Sequence, residues 1–226
     1  NNCAPLATYY TITVNPNPSI ALGANPEVCQ GTTTANLPYS ATASSPDRYS
    51  IDFDATAEGE GFLDVSNAVL PVSPISITVP GAAAASVYNA TLTVSNNSTG
   101  CGSNQNAIAV TVNPTPVVTL GNNPTVCQGI TTANISYTAT VGSPNQYSVD
   151  YDATAEAAGF VDVSNAVLPA SPISMVVPGA AAANTYSATL TVRNSTTGCV
   201  SASYPISVVV NATPTITLGS NPAVCR

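Results

Sequence analysis

The chain is 226 residues long, carries a formal net charge of −8 and contains no Lys, His or Trp. Charged residues are 6% of it, against about 25% in ordinary globular domains, and the three cations are Arg48, Arg193 and Arg226. That composition speaks against nucleic-acid binding and adhesion to anionic membranes. It also removes the residues most used for acid–base and Schiff-base chemistry, and no apolar run approaches the roughly 20 residues that a membrane-inserted helix needs.

One block occurs twice without a gap: residues 15–112 align position for position with 113–210, 98 residues each. The anchors are NPNPSIALGANPEVCQG against NPTPVVTLGNNPTVCQG, FDATAEGEGF against YDATAEAAGF, and DVSNAVLPVSPIS against DVSNAVLPASPIS. In chain order, residues 1–14 match the end of a repeat and read as the C-terminal strand of a preceding one. Residues 15–112 form repeat 1 and 113–210 repeat 2. Residues 211–226 match the start of a repeat and read as the N-terminal strand of a following one. The whole therefore reads as a window on a longer tandem array.

Within repeat 2, stretches rich in Val, Ile, Thr and Tyr alternate with Pro, Gly, Asn and Ser, which predicts short strands. The expected strands begin with Val117–Leu120 and Thr125–Cys127, broken at Asn123-Pro124. Ala133–Val141, Gln146–Asp152, Gly159–Val163, Ile173–Val177, Tyr186–Val192 and Tyr204–Val210 follow. A helical turn is expected at Ala153–Ala158, and a turn or loop at Gly179–Ala183. About seven strands in one block favour an all-β fold, namely tandem immunoglobulin-like antiparallel β-sandwich repeats. Tyr88-Asn89-Ala90 and Tyr186-Ser187-Ala188 stand where strand F of that fold carries its tyrosine corner, with Ala in place of Cys. Tyr49 and Tyr147 occupy roughly the place of the strand C Trp.

The motifs Val28-Cys29-Gln30-Gly31 and Val126-Cys127-Gln128-Gly129 are paired with Gly100-Cys101 and Gly198-Cys199 in a β-module that opens on an NPTP linker. This layout resembles the Ig-like or PKD-like repeats of giant secreted surface proteins of Bacteroidota. The resemblance covers the whole chain. It implies an exported protein serving in adhesion, gliding or matrix.

Cysteine usage points the same way. Cys3, Cys29, Cys101, Cys127, Cys199 and Cys225 alternate at spacings of 26 and 72. An even count locked to a repeat is the mark of a disulfide framework in an oxidising compartment. Zinc would call for CxxC pairs or His, and a catalytic Cys for a His partner; the sequence has neither. Three connectivities remain open. The bonds run within modules (Cys29–Cys101, Cys127–Cys199), across a junction (Cys29–Cys199), or over the 26-residue spacing. An Ig topology sets the within-module cysteines at opposite ends of a strand roughly 30 Å long, while a disulfide needs Cα atoms within roughly 7 Å.

Acidic residues give the other candidate site. Asp52, Asp54 and Glu58 in repeat 1, and Asp150, Asp152 and Glu156 in repeat 2, supply the hard oxygen ligands that suit calcium. The alternative is a solvated strand face that keeps a charge-poor surface soluble. The carboxylates give no reason to expect a glycosidase, since a catalytic pair would be copied in every module. No other cofactor is expected. Six Asn-x-Ser/Thr sequons, at Asn89, Asn96, Asn97, Asn134, Asn194 and Asn211, favour no particular glycosylation site.

The expected function is non-catalytic: a structural repeat segment of an extracellular filament or cell-surface stalk. Its partners would be copies of itself or neighbouring repeats in a fibre. The alternative is an adhesin array whose module loops engage glycans or host and cell surfaces. Neither reading involves nucleic acid or membrane insertion.

Overall fold

Strands form where β-branched and aromatic residues alternate with polar ones, and both repeats use the same positions. The structure is a computed structural model describing residues 10–219, and it divides into two units between Asn113 and Pro114. The first contains β1 (Ser19–Leu22), β2 (Glu27–Cys29), β3 (Thr34–Leu37), β4 (Tyr39–Ala43), β5 (Arg48–Phe53), α1 (Ala55–Gly59) and β6 (Val65–Val69). It continues with β7 (Ile75–Thr78), β8 (Ser86–Asn96), β9 (Cys101–Gly102) and β10 (Asn106–Asn113). The second contains β11 (Val117–Leu120), β12 (Thr125–Cys127), β13 (Thr132–Ile135), β14 (Tyr137–Val141), β15 (Gln146–Tyr151), α2 (Ala153–Ala157) and β16 (Val163–Val167). It ends with β17 (Ile173–Val176), β18 (Asn184–Arg193) and β19 (Tyr204–Asn211).

Each unit is an immunoglobulin-like β-sandwich. One sheet has the order β2-β10-β8-β5-β6, matched by β12-β19-β18-β15-β16. Its pairs are antiparallel except for β2 on β10 and β12 on β19, which are parallel. The opposing layer is built from β1 on β4 and β3 on β7, matched by β11 on β14 and β13 on β17. The chain thus pairs first with one layer and then crosses to the other at Asn25-Pro26 or Asn123-Pro124, where proline interrupts the ladder.

The core fills the space between the layers. Tyr88, Leu92 and Val94 from β8, with Val110 from β10 and Ile51 from β5, face Leu37, Ile75 and Val79, all nearly fully buried. The second unit repeats this with Tyr186, Leu190, Val192, Val208 and Val149 against Ile135, Ile173 and Val177. Burying each of the larger aliphatic side chains stabilises by about 1.5–3 kcal/mol. Rings stack through the same core in both units: Phe53–Phe62–Tyr88 at 5.0 and 4.7 Å, and Tyr151–Phe160–Tyr186 at 5.0 and 4.7 Å.

The tyrosine corner is present twice. Tyr88 donates through its hydroxyl to the Ala84 carbonyl at 2.7 Å, and Tyr186 to Ala182 at 2.9 Å, which ties the loop before strand F to the core. Tyr49 and Tyr147 are half-buried at the edge of the core, while Ile51 and Val149 take the deep position beside them.

Several boundaries differ from the sequence reading. The strand expected at Ala133–Val141 is broken at Ser136. There Gly121 donates its backbone N–H to the Ser136 carbonyl at 2.7 Å, as Gly23 does to Pro38. Glycine is needed at that approach, because a Cβ on Gly23 would lie 2.8 Å from the Pro38 ring. The segment expected as strand at Gly159–Val163 is not one. Gly159 has φ of +96°, Phe160 bonds back to the Ala155 carbonyl at 3.1 Å, and the strand runs instead over Val163–Val167. Inside that strand Asn165 takes φ of +49°, and the register against β15 shifts between Tyr147 and Val149, which is a bulge. The expected helical turn forms as α2, and Gly179–Ala183 is a turn.

The terminal segments read as strands of neighbouring repeats lie partly outside the described residues, as do Cys3 and Cys225. Their described parts 10–14 and 212–219 carry no strand pairing, while Asn211, the first residue of the segment read as the next repeat's strand, closes β19 and pairs with Cys127.

Candidate functional site

The turn between β8 and β10, and its counterpart between β18 and β19, is held by a dense set of hydrogen bonds. In the second unit, Asn194 accepts from the backbone N–H groups of Thr196 and Thr197 at 2.9 and 3.3 Å and donates through Nδ2 to the Gly142 carbonyl at 3.0 Å. Gly198 closes the turn at φ of +76°, and Asn194 N–H bonds the Cys199 carbonyl at 3.0 Å. Ser201 accepts from the buried Val192 N–H at 3.0 Å and donates to the Ala202 carbonyl at 2.7 Å. Asn96, Gly100 and Ser103 do the same around Cys101. Asn96 and Asn194, both half-buried, thus have both ends of their side-chain amides engaged in the turn. This turn lies where the chain begins each module: the Cys101 Sγ is 3.9 Å from the Asn15 carbonyl oxygen. A Cβ on Gly142 would meet the Pro114 carbonyl and the Pro116 backbone at 3.0 Å.

The other cysteine position lies where the chain leaves each module. Cys29 is the ladder neighbour of Asn113 and Cys127 that of Asn211. The following Gln30 and Gln128 bond the carbonyls of Asn113 and Asn211, each at 2.9 Å. Gly31 and Gly129 turn the chain at φ of +85° and +86°. Between the two cysteine positions runs β10 or β19, eight residues each, about 26 Å of extended chain. Cys29 and Cys199 are disulfide-bonded, whereas Cys101 and Cys127 are free thiols. Of the expected framework, the within-module bonds Cys29–Cys101 and Cys127–Cys199 are thus not formed. The physical reason is distance, because the two positions occupy opposite ends of one strand. The 26-residue bond Cys101–Cys127 is not formed either.

The acidic residues are used locally. Asp54 and Asp152 are N-caps of the one-turn helices, accepting from Ala57 N–H at 2.9 Å and Ala155 N–H at 2.8 Å, as short polar side chains do at that position. Asp64 and Asp162 accept from Phe53 and Tyr151 backbone N–H groups, both at 2.8 Å. Asp52 and Asp150 point away from the core on exposed strand positions, and Glu58 and Glu156 stand exposed in the first helical turn. Among the described residues no three His, Cys, Asp or Glu side chains are grouped so as to hold a metal ion. Burial pushes the Tyr151 phenol up to about 12, with Tyr147 and Asp162 adding to the effect. Tyr88 is raised by burial and then by Glu60.

A shallow depression recurs in both units. It has about 430 Å³ beside Asp52, Asp54, Asn89 and Thr91, and about 380 Å³ beside Asp150, Asp152, Ser187 and Thr189. Its aromatic members, Phe53 and Tyr151, are 5% and 6% exposed, so they present no stacking platform. The two arginines of the described residues occupy equivalent rungs from opposite strands, Arg48 against Ser95 and Arg193 against Gln146. The repeat alignment sets Arg48 opposite Gln146 and Ser95 opposite Arg193, and the structure places each such pair on one rung.

No family model and no curated protein matches the chain. Several solved structures are similar to the chain. The chicken CNTN1 FN1–FN3 domains are 15% identical, with 88% of this chain and 70% of that chain covered at a TM-score of 0.43. The Ca2+-stabilized adhesin with which an Antarctic bacterium binds ice is 15% identical over 90% of this chain and 51% of its own, at 0.42. A two-domain fibronectin type III segment of chicken tenascin is 17% identical over 86% and 99%, at 0.32. At those values the likeness carries no statement about function.

Proposed function

We propose that this chain is a non-catalytic structural segment of an extracellular filament or cell-surface stalk, built from tandem Ig-like modules of the type found in giant secreted surface proteins of Bacteroidota. The observation that carries the reading is the duplication of the module's main structural features. Core, ring stack, tyrosine corner, N-cap and cysteine turn all recur at a 98-residue translation. A catalytic centre needs one unique constellation, while identical modules supply length and spacing. Oxidised Cys29 and Cys199 fit an exported protein. No helix among the described residues is long and apolar enough to cross a membrane. The test is electron microscopy of the native material, which should show filaments or stalks.

The repeated depression beside Asp52 and Asp150 favours a second reading, an adhesin array that engages glycans or partner surfaces once per module. A glycan array probed with the purified chain tests it. Binding that is lost on substituting Asn89 and Ser187 together would support this reading over the structural one.

A further inference from the structure

We infer that Cys101 and Cys127 are the two halves of a disulfide staple that links every module to its neighbour, each reserved for the next repeat along the array. The inference rests on the tandem-array reading. Cys29 adjoins Asn113, the last residue of the first unit, through their shared ladder position. Asn113 is followed directly by Pro114, whose carbonyl crowds Gly142; Gly142 accepts from Asn194, and Asn194 N–H bonds the Cys199 carbonyl. A cysteine at the trailing end of one module and a cysteine in the leading turn of the next are therefore each tied to one of two consecutive residues. The rule that follows joins Cys29 to Cys199.

The free thiols obey the same rule. Cys127 would pair with a residue numbered 297 and Cys101 with one 70 positions before residue 1, and neither position falls within this 226-residue chain. The state of the side chains agrees. Cys199 is 1% exposed while its repeat mate Cys101 is half-buried, and Cys29 is half-buried while its mate Cys127 is exposed. The competing 26-residue rule would pair Cys3 with Cys29 and Cys199 with Cys225. By the same translation it would also pair Cys101 with Cys127, and those two are free.

Each bond forms by thiol–disulfide exchange. Two protein thiols lose two protons and two electrons, and an exchangeable small-molecule or protein disulfide accepts them and leaves as two thiols. An array closed in this way is held at each junction by a second covalent path beside the proline linker.

Two arms of one alkylation experiment test this. In the isolated chain, denatured without reductant, Cys29→Ser should make Cys199 newly alkylatable, one thiol per chain. If Cys3 becomes alkylatable and Cys199 stays protected, the rule is overturned. In the native polypeptide, peptide mapping should find Cys101 and Cys127 each bonded to the equivalent cysteine of an adjacent repeat. Labelled Cys101 and Cys127 in a polypeptide that migrates under reduction as a long repeat array would overturn the staple and leave the array intact. A native polypeptide no longer than these modules would instead overturn the array reading.

Discussion

Ser201→Ala removes one hydroxyl from the turn that carries Cys199, and its cost follows from the structure. Val192 is fully buried, and its N–H donates to the Ser201 hydroxyl at 3.0 Å. Without that oxygen a buried donor is left unpaired, which costs about 1–3 kcal/mol. For a domain of this size each 1 kcal/mol lowers Tm by about 4–8 °C, so a loss of about 2 kcal/mol lowers the second module's midpoint by about 8–16 °C. Differential scanning calorimetry should show one module's transition moving away from the other. Ser103→Ala should move the other transition similarly, because Ser103 accepts from Val94 N–H at the same 3.0 Å. Ser174→Ala, on an exposed strand position, serves as the control and should stay within about 0.5 kcal/mol of wild type. If Ser201→Ala behaves like Ser174→Ala, the turn is not held by this hydroxyl and the reasoning fails.

Four further outcomes are expected. Tyr186→Phe keeps the ring stack and loses one hydrogen bond, so urea unfolding should register about 0.5–1.5 kcal/mol, whereas Tyr186→Ala should cost about 3–5 kcal/mol. Gly142→Ala should destabilise the second module in thermal melts, because φ is +68° and the new Cβ meets backbone at 3.0 Å. Chelation should leave Tm unchanged, and Asp152→Asn should shift it by no more than a few tenths of a kcal/mol, since Asn is as good an N-cap as Asp; a chelator-induced drop of several degrees would restore calcium at Asp150, Asp152 and Glu156. Stability should also fall as pH rises from 10.0 to about 12. The Tyr151 phenol keeps its proton in the fold up to about 12 and loses it near 10.0 once unfolded, so over that window the unfolded state binds fewer protons and gains. Absorbance titration of phenolate alongside circular dichroism would show late ionisation coinciding with unfolding.

The strands were legible wherever alternation was regular, as in Gln146–Tyr151 and Tyr204–Asn211. The tyrosine corners were legible because Tyr88 and Tyr186 begin a strand of the required pattern. The break within Ala133–Val141 was not, because Ser136 carries no mark of a ladder interruption; its counterpart Pro38 does, having no N–H to give. The misplaced strand at Gly159–Val163 shows a similar limit. Phe160 reads as a strand residue by type, yet it is a core plug held by a bond to α2. For the cysteines, spacing displayed the framework. The connectivity depended on which end of a strand each cysteine occupies, and spacing alone does not encode that.

Electron microscopy of the native material tests the central claim most directly. Filaments or stalks with a longitudinal repeat of one module are the predicted result. Isolated compact particles at every concentration would contradict it.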